Sequence, residues 1–169
     1  TSPAPCPHGK CIMCPGGIER GTPQSYIGLE PAAQRGKQHN YHPFRQVYAR
    51  LKELYDLGHD VDKVEIIVMG GTFPARAREY KEWFMLNIFN ALNAFGKKRF
   101  TFEKNFERAK RKNEKAKARC IGITFETRPD YAKEEHIIEM LRFGGTKVEI
   151  GVQSIYDDVL EFIKRGHNV

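Results

Sequence analysis

Residues 6–17 read CPHGKCIMCPGG and place three thiols, Cys6, Cys11 and Cys14, at a spacing of C-x4-C-x2-C. Pro7, Gly9, Pro15, Gly16 and Gly17 lie among them, so the stretch suits neither a helix nor a strand. Thiolates bind soft and borderline metals, and three on one tight loop can converge on a single centre. Zinc in a structural site takes four protein ligands. Here Cys120 or His8 would have to be the fourth, because no second C-x2-C pair is present. An iron–sulfur cluster held by three cysteines leaves one iron open to a substrate or cofactor. The prolines and glycines serve that reading, since they leave backbone amides free to hydrogen-bond the sulfurs. The spacing favours the cluster and leaves zinc open.

Such a loop needs a scaffold. Residues 1–30 are rich in Pro and Gly, show no periodicity and are expected to form a loop region. From Pro31 to about Leu57 the pattern is helical, with Val47, Leu51, Leu54 and Tyr55 on one face and Gly58 as the stop. KVEIIVMGG (63–71) reads as a short buried strand ending in a double glycine. A helix is expected from Glu79 to about Phe95, and a second strand at CIGITFE (120–126). Another helix follows from Lys133 to Phe143, then a third strand at KVEIGVQ (147–153) and a short helix from Asp157 to Arg165. Strands alternating with helices predict an α/β fold built on parallel strands, a sheet or a barrel. Cys120 opens the second strand and reads as an inert buried thiol; Tyr26 and Trp83 read as anchors.

The net charge of +7 is concentrated. The segment from Lys97 to Arg119 carries +8, and the remainder of the chain −1. A local excess of this size predicts a polyanion partner, against the plainer reading of a solvated face. Phe100, Phe102 and Phe106 are interleaved with the charges and are expected to pin the segment to the core. No apolar run approaches the ~18 residues of a membrane span, so no membrane partner is expected. Four cysteines with three clustered are poor material for disulfide staples, and a reducing, cytoplasmic setting is expected.

A three-cysteine loop followed by a strand ending in Gly-Gly and further βα units resembles the radical S-adenosylmethionine (SAM) enzymes. Those enzymes usually space their cysteines C-x3-C-x2-C, and longer first gaps occur in one subfamily. TPQSYIGLEPAAQR, DKVEIIVMGGTFPA, GITFETRPDY and VEIGVQS closely resemble the family of Elongator catalytic subunits, the tRNA wobble-uridine modifying enzymes, in archaeal or bacterial form. The resemblance runs from Pro5 to the end of the chain.

It implies a partial (β/α) barrel of the radical SAM type with its site at the C-terminal ends of the strands. It implies a [4Fe–4S] cluster on Cys6, Cys11 and Cys14, with SAM chelating the unique iron. Gly70 and Gly71 match the glycine motif that receives the SAM amino group. Glu126 and Arg128 lie where charged groups grip ribose or carboxylate, and Gln153 where a polar contact to SAM or substrate is expected. Lys63 matches a lysine that contacts acetyl-coenzyme A (acetyl-CoA), where a cation suits the phosphates. Lys110, Arg111 and Lys112 are the candidate tRNA contacts. The implied reaction is carboxymethylation of C5 of tRNA uridine 34, in the acyltransferase class. A 5′-deoxyadenosyl radical takes hydrogen from the acetyl group, the carbon radical adds to uridine, and the thioester is hydrolysed. Other Elongator subunits are expected as partners only in a eukaryotic protein.

A full radical SAM barrel has about six strands, against three expected here, and only TSPAP precedes Cys6 where a further strand would stand. Nothing in the chain corresponds to the family's acetyltransferase-like domain. A piece of a radical SAM domain, inactive alone, is therefore expected. Two alternatives are a radical SAM enzyme acting on a small molecule and a zinc-stabilised RNA-binding module.

Overall fold

The alternation in KVEIIV builds a strand with one dry face. In the computed structural model, which describes residues 1–169, this is β1 (Lys63–Val68). Val64, Ile66 and Val68 turn to the core, while Lys63, Glu65 and Ile67 face outwards. β2 (Arg119–Thr127) and β3 (Lys147–Ile150) complete a three-stranded parallel sheet in the order β1-β2-β3. Lys63 pairs with Arg119 at one end of the sheet, and Thr127 with Ile150 at the other. An irregularity between Val64 and Glu65 skips Ile121, which lets Cys120, Ile123 and Phe125 all reach the same core.

Helices pack on that face. α3 (Arg78–Ala94) follows β1 and contributes Phe84, Met85, Ile88 and Leu92, all nearly inaccessible, to one cluster with Val68, Ile123, Phe125 and Phe143. Each such side chain stabilises the fold by about 1.5–3 kcal/mol on burial. α4 (Phe106–Asn113) lies in the basic segment, with Asn105 capping it through a hydrogen bond from the Arg108 amide. α5 (Glu134–Arg142) and α6 (Asp157–Phe162) follow β2 and β3. No helix is long and apolar enough to cross a membrane.

The single helix expected over 31–57 is two, α1 (Pro31–Gln38) and α2 (Pro43–Asp56). Pro43 lacks the amide that would bond back into a continuing helix and biases His42 out of helical backbone. Asn40 and Tyr41 take left-handed conformations between the two. β1 ends at Val68 and β3 at Ile150, leaving the glycines and Gln153 in the loops beyond. The N-terminal TSPAP is not a strand. It runs beside the end of β1, where the Ser2 amide donates to Met69 O and Pro5 O accepts from the Thr72 amide. Pro3 and Pro5 have no amide of their own to extend the pairing.

Candidate functional site

The loops leaving the C-terminal ends of the three strands surround a cavity of about 420 Å³. Gly70 and Gly71 follow β1, Glu126 lies near the end of β2 with Arg128 just past it, and Gln153 follows β3; all five border this cavity together with Cys6. Ligands collect at the carboxyl ends of parallel strands because the diverging loops leave a crevice there. Tyr26, Glu149 and Arg165 also line it. Glu149 is brought there by pairing in register with Glu126, which the pattern of neither strand alone encodes. Arg165 and Tyr26 had no local signal.

The double glycine has a concrete reason. Gly70 and Gly71 both have positive φ, 103° and 62°. A Cβ on Gly71 would fall 1.9 Å from Ala4 O, and one on Gly70 2.3 Å from Ser2 O. The segment Thr1–Pro5 occupies the space where side chains would stand, and this close approach sets the start of the cysteine loop against the end of β1.

Cys6, Cys11 and Cys14 border a second cavity of about 190 Å³. Cys6, Gln24, Ser25, Gln153 and Arg165 line both spaces, so the two are contiguous. No group of three or more His, Cys, Asp or Glu side chains is drawn together as the ligand set of one ion. All four cysteines are free. Each of the three sulfurs has a donor from elsewhere in the chain. The Thr72 hydroxyl donates to Cys6 Sγ at 3.3 Å, Gln24 Nε2 to Cys14 Sγ at 3.0 Å, and Arg165 Nη1 to Cys11 Sγ at 3.8 Å. Burial pushes the Cys6 thiol up in spite of the Thr72 hydrogen bond, so binding a metal there would expel a proton. Three sulfurs bordering one cavity, each with an outside donor, fit an iron–sulfur cluster.

A buried polar network backs the loop. Arg128 makes a two-point contact with Asp130, Nε to Oδ1 and Nη2 to Oδ2, each at 2.9 Å, and donates from Nη2 to Arg165 O at 2.8 Å. Its Nη1 lies against the His8 ring, whose Nε2 is 3.2 Å from Cys11 Sγ. Burial, with Arg128 and Arg165 nearby, pushes His8 down to about 4, so it is neutral near pH 7. Burial would raise the Asp130 carboxyl, but the bonds and charge of Arg128 outweigh it and hold it low. Most of the Arg128 donors are thus engaged within the protein, while the residue still borders the cavity.

The cavity lining also holds an acidic pair, Glu126 and Glu149. Burial, and secondarily the charge of Glu149, raise the Glu126 carboxyl above its ordinary value. Tyr26 is pushed up to about 12 by burial and then by Glu126 and Glu30, so its hydroxyl keeps its proton. The cavity is therefore lined by two acidic residues, Glu126 and Glu149, and two basic ones, Arg128 and Arg165.

Other residues singled out in the sequence lie elsewhere. Lys63 is exposed at the start of β1, opposite the cavity. Six residues of strand at ~3.3 Å each put roughly 20 Å between the two ends. The basic segment lies at that same far end, since it runs into Arg119 at the start of β2. Within it Lys110 donates to Arg142 O and pairs with Glu107, and Lys112 pairs with Glu103 at 2.7 Å. Arg111 forms no ion pair and faces solvent, as do Lys97, Lys98 and Arg99. Phe106 is buried against Phe89 and Phe143 and pins the segment to the core, whereas Phe102 packs on Phe44 but stays exposed, outside the core. Cys120 is half-buried and pushed up to about 11 by burial, an inert thiol. Trp83 packs against His42, Tyr80 and Phe84 on the outer side of α3.

The chain matches the radical SAM superfamily over residues 4–169. A tRNA uridine(34) acetyltransferase of Methanocaldococcus infernus is 50% identical over 172 residues, covering 100% of this chain and 31% of that protein. Elongator complex protein 3 of Homo sapiens is 43% identical over 175 residues, covering 99% of this chain and 31% of that protein. The solved structure of archaeal Methanocaldococcus infernus Elp3 with an N-terminal deletion (1–46) superposes with a TM-score of 0.73 at 46% identity. That likeness covers 79% of this chain and 30% of the solved one. The chain thus spans about a third of the length of these relatives.

Proposed function

This chain belongs to the radical SAM superfamily, and we propose that it is the radical-generating part of a tRNA wobble-uridine modifying enzyme. The two relatives described above are named for that chemistry or for the Elongator complex. One observation carries the reading. Five of the six expected cofactor residues and all three thiols meet in two joined cavities at the carboxyl ends of a parallel sheet.

Cys6, Cys11 and Cys14 would hold a [4Fe–4S] cluster, with Thr72, Gln24 and Arg165 donating to their sulfurs. When bound, the cluster and SAM supply the electron and the carbon radical that start the reaction, and acetyl-CoA supplies the acetyl group. The chain's own residues bind and orient. Gly70 and Gly71 offer open backbone edges to the SAM amino group. The Glu126–Glu149 pair accepts hydrogen bonds from a ribose or charge from a cation, and Arg128 receives a carboxylate. Gln153, in left-handed backbone with φ 69°, borders both cavities and would hold the ligand between them.

Lys63 stands outside this space. A contact with coenzyme A phosphates there requires the acyl arm to run along the open face of the sheet. The basic segment would meet tRNA phosphates and set position rather than sequence; base selection then falls to the cavity, which admits an unpaired, splayed nucleotide. This work belongs in the cytoplasm, where thiols stay reduced.

Anaerobic reconstitution with iron and sulfide, followed by spectra with and without SAM, tests the reading. The protein should turn brown, with broad thiolate-to-iron absorbance near ~400 nm that SAM perturbs. Cys11→Ala and Cys14→Ala should abolish the colour, and Cys120→Ala should keep it. A colourless protein holding one tight zinc would refute the proposal.

A further inference from the structure

Two guanidinium groups are buried beside the thiols, and only one is paired. Arg128 is matched by Asp130. Arg165 is 7% exposed and forms no ion pair with any carboxylate. Its Nη2 donates to Gly151 O at 2.6 Å, its Nη1 points at Cys11 Sγ, and its Nε has no partner. A buried charge left unmatched is costly, so the fold that holds it there calls for a negative group in the same space. The neighbouring His8 is neutral, and the three sulfurs border the cavity that Arg165 lines.

The chain is shaped to aim this side chain. α6 ends at Phe162, Lys164 turns the backbone in a left-handed conformation with φ 56°, and Leu160 O receives the Arg165 amide. Ile163 O accepts from the Ile12 amide at 3.0 Å, inside the cysteine loop, and Arg165 O accepts from Arg128. The turn after α6 thus grips the loop by its backbone and directs a cation at its central thiol.

We propose that Arg165 is the electrostatic positioning residue of the thiol centre, holding Cys11 in place and raising the reduction potential of the iron–sulfur cluster bound there. This rests on Cys6, Cys11 and Cys14 being cluster ligands. One electron enters the cluster from an external one-electron donor, and no bond forms or breaks. The reduced cluster carries more negative charge, and a fixed cation at short range in a water-poor site favours it.

The test is a reductive titration of reconstituted protein, SAM-free, with dithionite and mediators, read by electron paramagnetic resonance. Iron and sulfide content and thermal melting are measured alongside. Arg165→Gln and Arg165→Met remove the charge; Arg165→Lys keeps it. The neutral variants should show a tenfold smaller reduced-to-oxidised ratio at a fixed potential, a midpoint lower by ~59 mV for one electron. Arg165→Lys should restore most of it. If both neutral variants lose iron while Arg165→Lys loads and reduces like wild type, the cation is needed for assembly, which also supports the proposal. A loaded neutral variant with the wild-type midpoint would overturn it, and so would failure of Arg165→Lys to load. Wild-type protein that takes up no iron and sulfide would instead overturn the cluster reading beneath it.

Discussion

The hydroxyl of Thr72 donates to the sulfur of Cys6 across 66 residues of sequence. Thr72 follows the double glycine and is fully buried, so this bond ties the turn after β1 to the first thiol of the cysteine loop. Thr72→Val keeps the shape and removes the donor. It should lower stability by about 1 kcal/mol, the net value of one such bond, and speed the bleaching of a reconstituted cluster by chelator. Thr72→Ser should behave as wild type. Urea denaturation and the visible absorbance decay measure the two effects.

Gly71→Ala should be among the most damaging single-methyl changes in the chain. Its Cβ would fall 1.9 Å from backbone at Ala4, on top of the strain of φ 62°. The left-handed conformation alone costs about 1–2 kcal/mol, and relief of the clash must displace Thr1–Pro5. A loss above about 3 kcal/mol, of the size that marks a named structural fault, is expected in chemical denaturation. A loss below 1 kcal/mol would show that the N-terminal segment moves freely.

Glu126 makes stability fall as pH rises. Its carboxyl is raised from the usual 4.5 by burial and by Glu149, so the folded protein holds a proton that the unfolded chain releases more readily. The contribution is complete below pH 4.5 and is lost as pH rises through the elevated folded value. Glu126→Gln should therefore raise the melting temperature at pH 7 and leave it unchanged well below pH 4. In a Glu149→Gln background the loss should be smaller and should end at lower pH, while its onset stays where the unfolded carboxyl ionises. Melting curves across pH 3–8 decide this.

The basic segment contains charges that are free and charges that are engaged. Reversing Lys98, Arg99 and Arg111 to Glu should weaken tRNA binding at least tenfold at low salt and flatten the salt slope by about one unit per lost phosphate contact. Melting should be unaffected. Reversing Lys112 sets it against Glu103, so that variant should melt lower as well. Equal affinity and slope for the triple variant and wild type would show a solvated face with no RNA role.

Asn93 and Asn113 form a buried amide chain under the same segment. Asn113 donates to Asn93 Oδ1 and Ala118 O and accepts from the Cys120 amide, while Asn93 donates to Ala109 O. Asn113→Leu would strand the Cys120 amide and the Ala118 carbonyl in an apolar core. A loss of about 2–4 kcal/mol is expected, since each stranded group costs about 1–3 kcal/mol. Denaturation measures the loss.

The sequence by itself determined the rhythm of the fold and marked the residues from which the site is built. Thiol spacing, the double glycine and the alternation of strand and helix are local patterns. They were enough to anticipate three parallel strands with Gly70, Gly71, Glu126, Arg128 and Gln153 at their carboxyl ends. The local punctuation at Asn40–Pro43 was present too, and reading through it merged α1 with α2. Tertiary structure alone decided which distant groups face one another. Register opposed Glu149 to Glu126, the left-handed turn at Lys164 carried Arg165 back to Cys11, and the right of Gly71 to lack a side chain came from Ala4. Contacts of this kind depend on how loops converge after strands have paired, and no periodicity within a segment encodes that. The same holds for charge: all eleven cations of residues 97–119 look alike in sequence, and only the fold separates Lys112, bound to Glu103, from Arg111, left free.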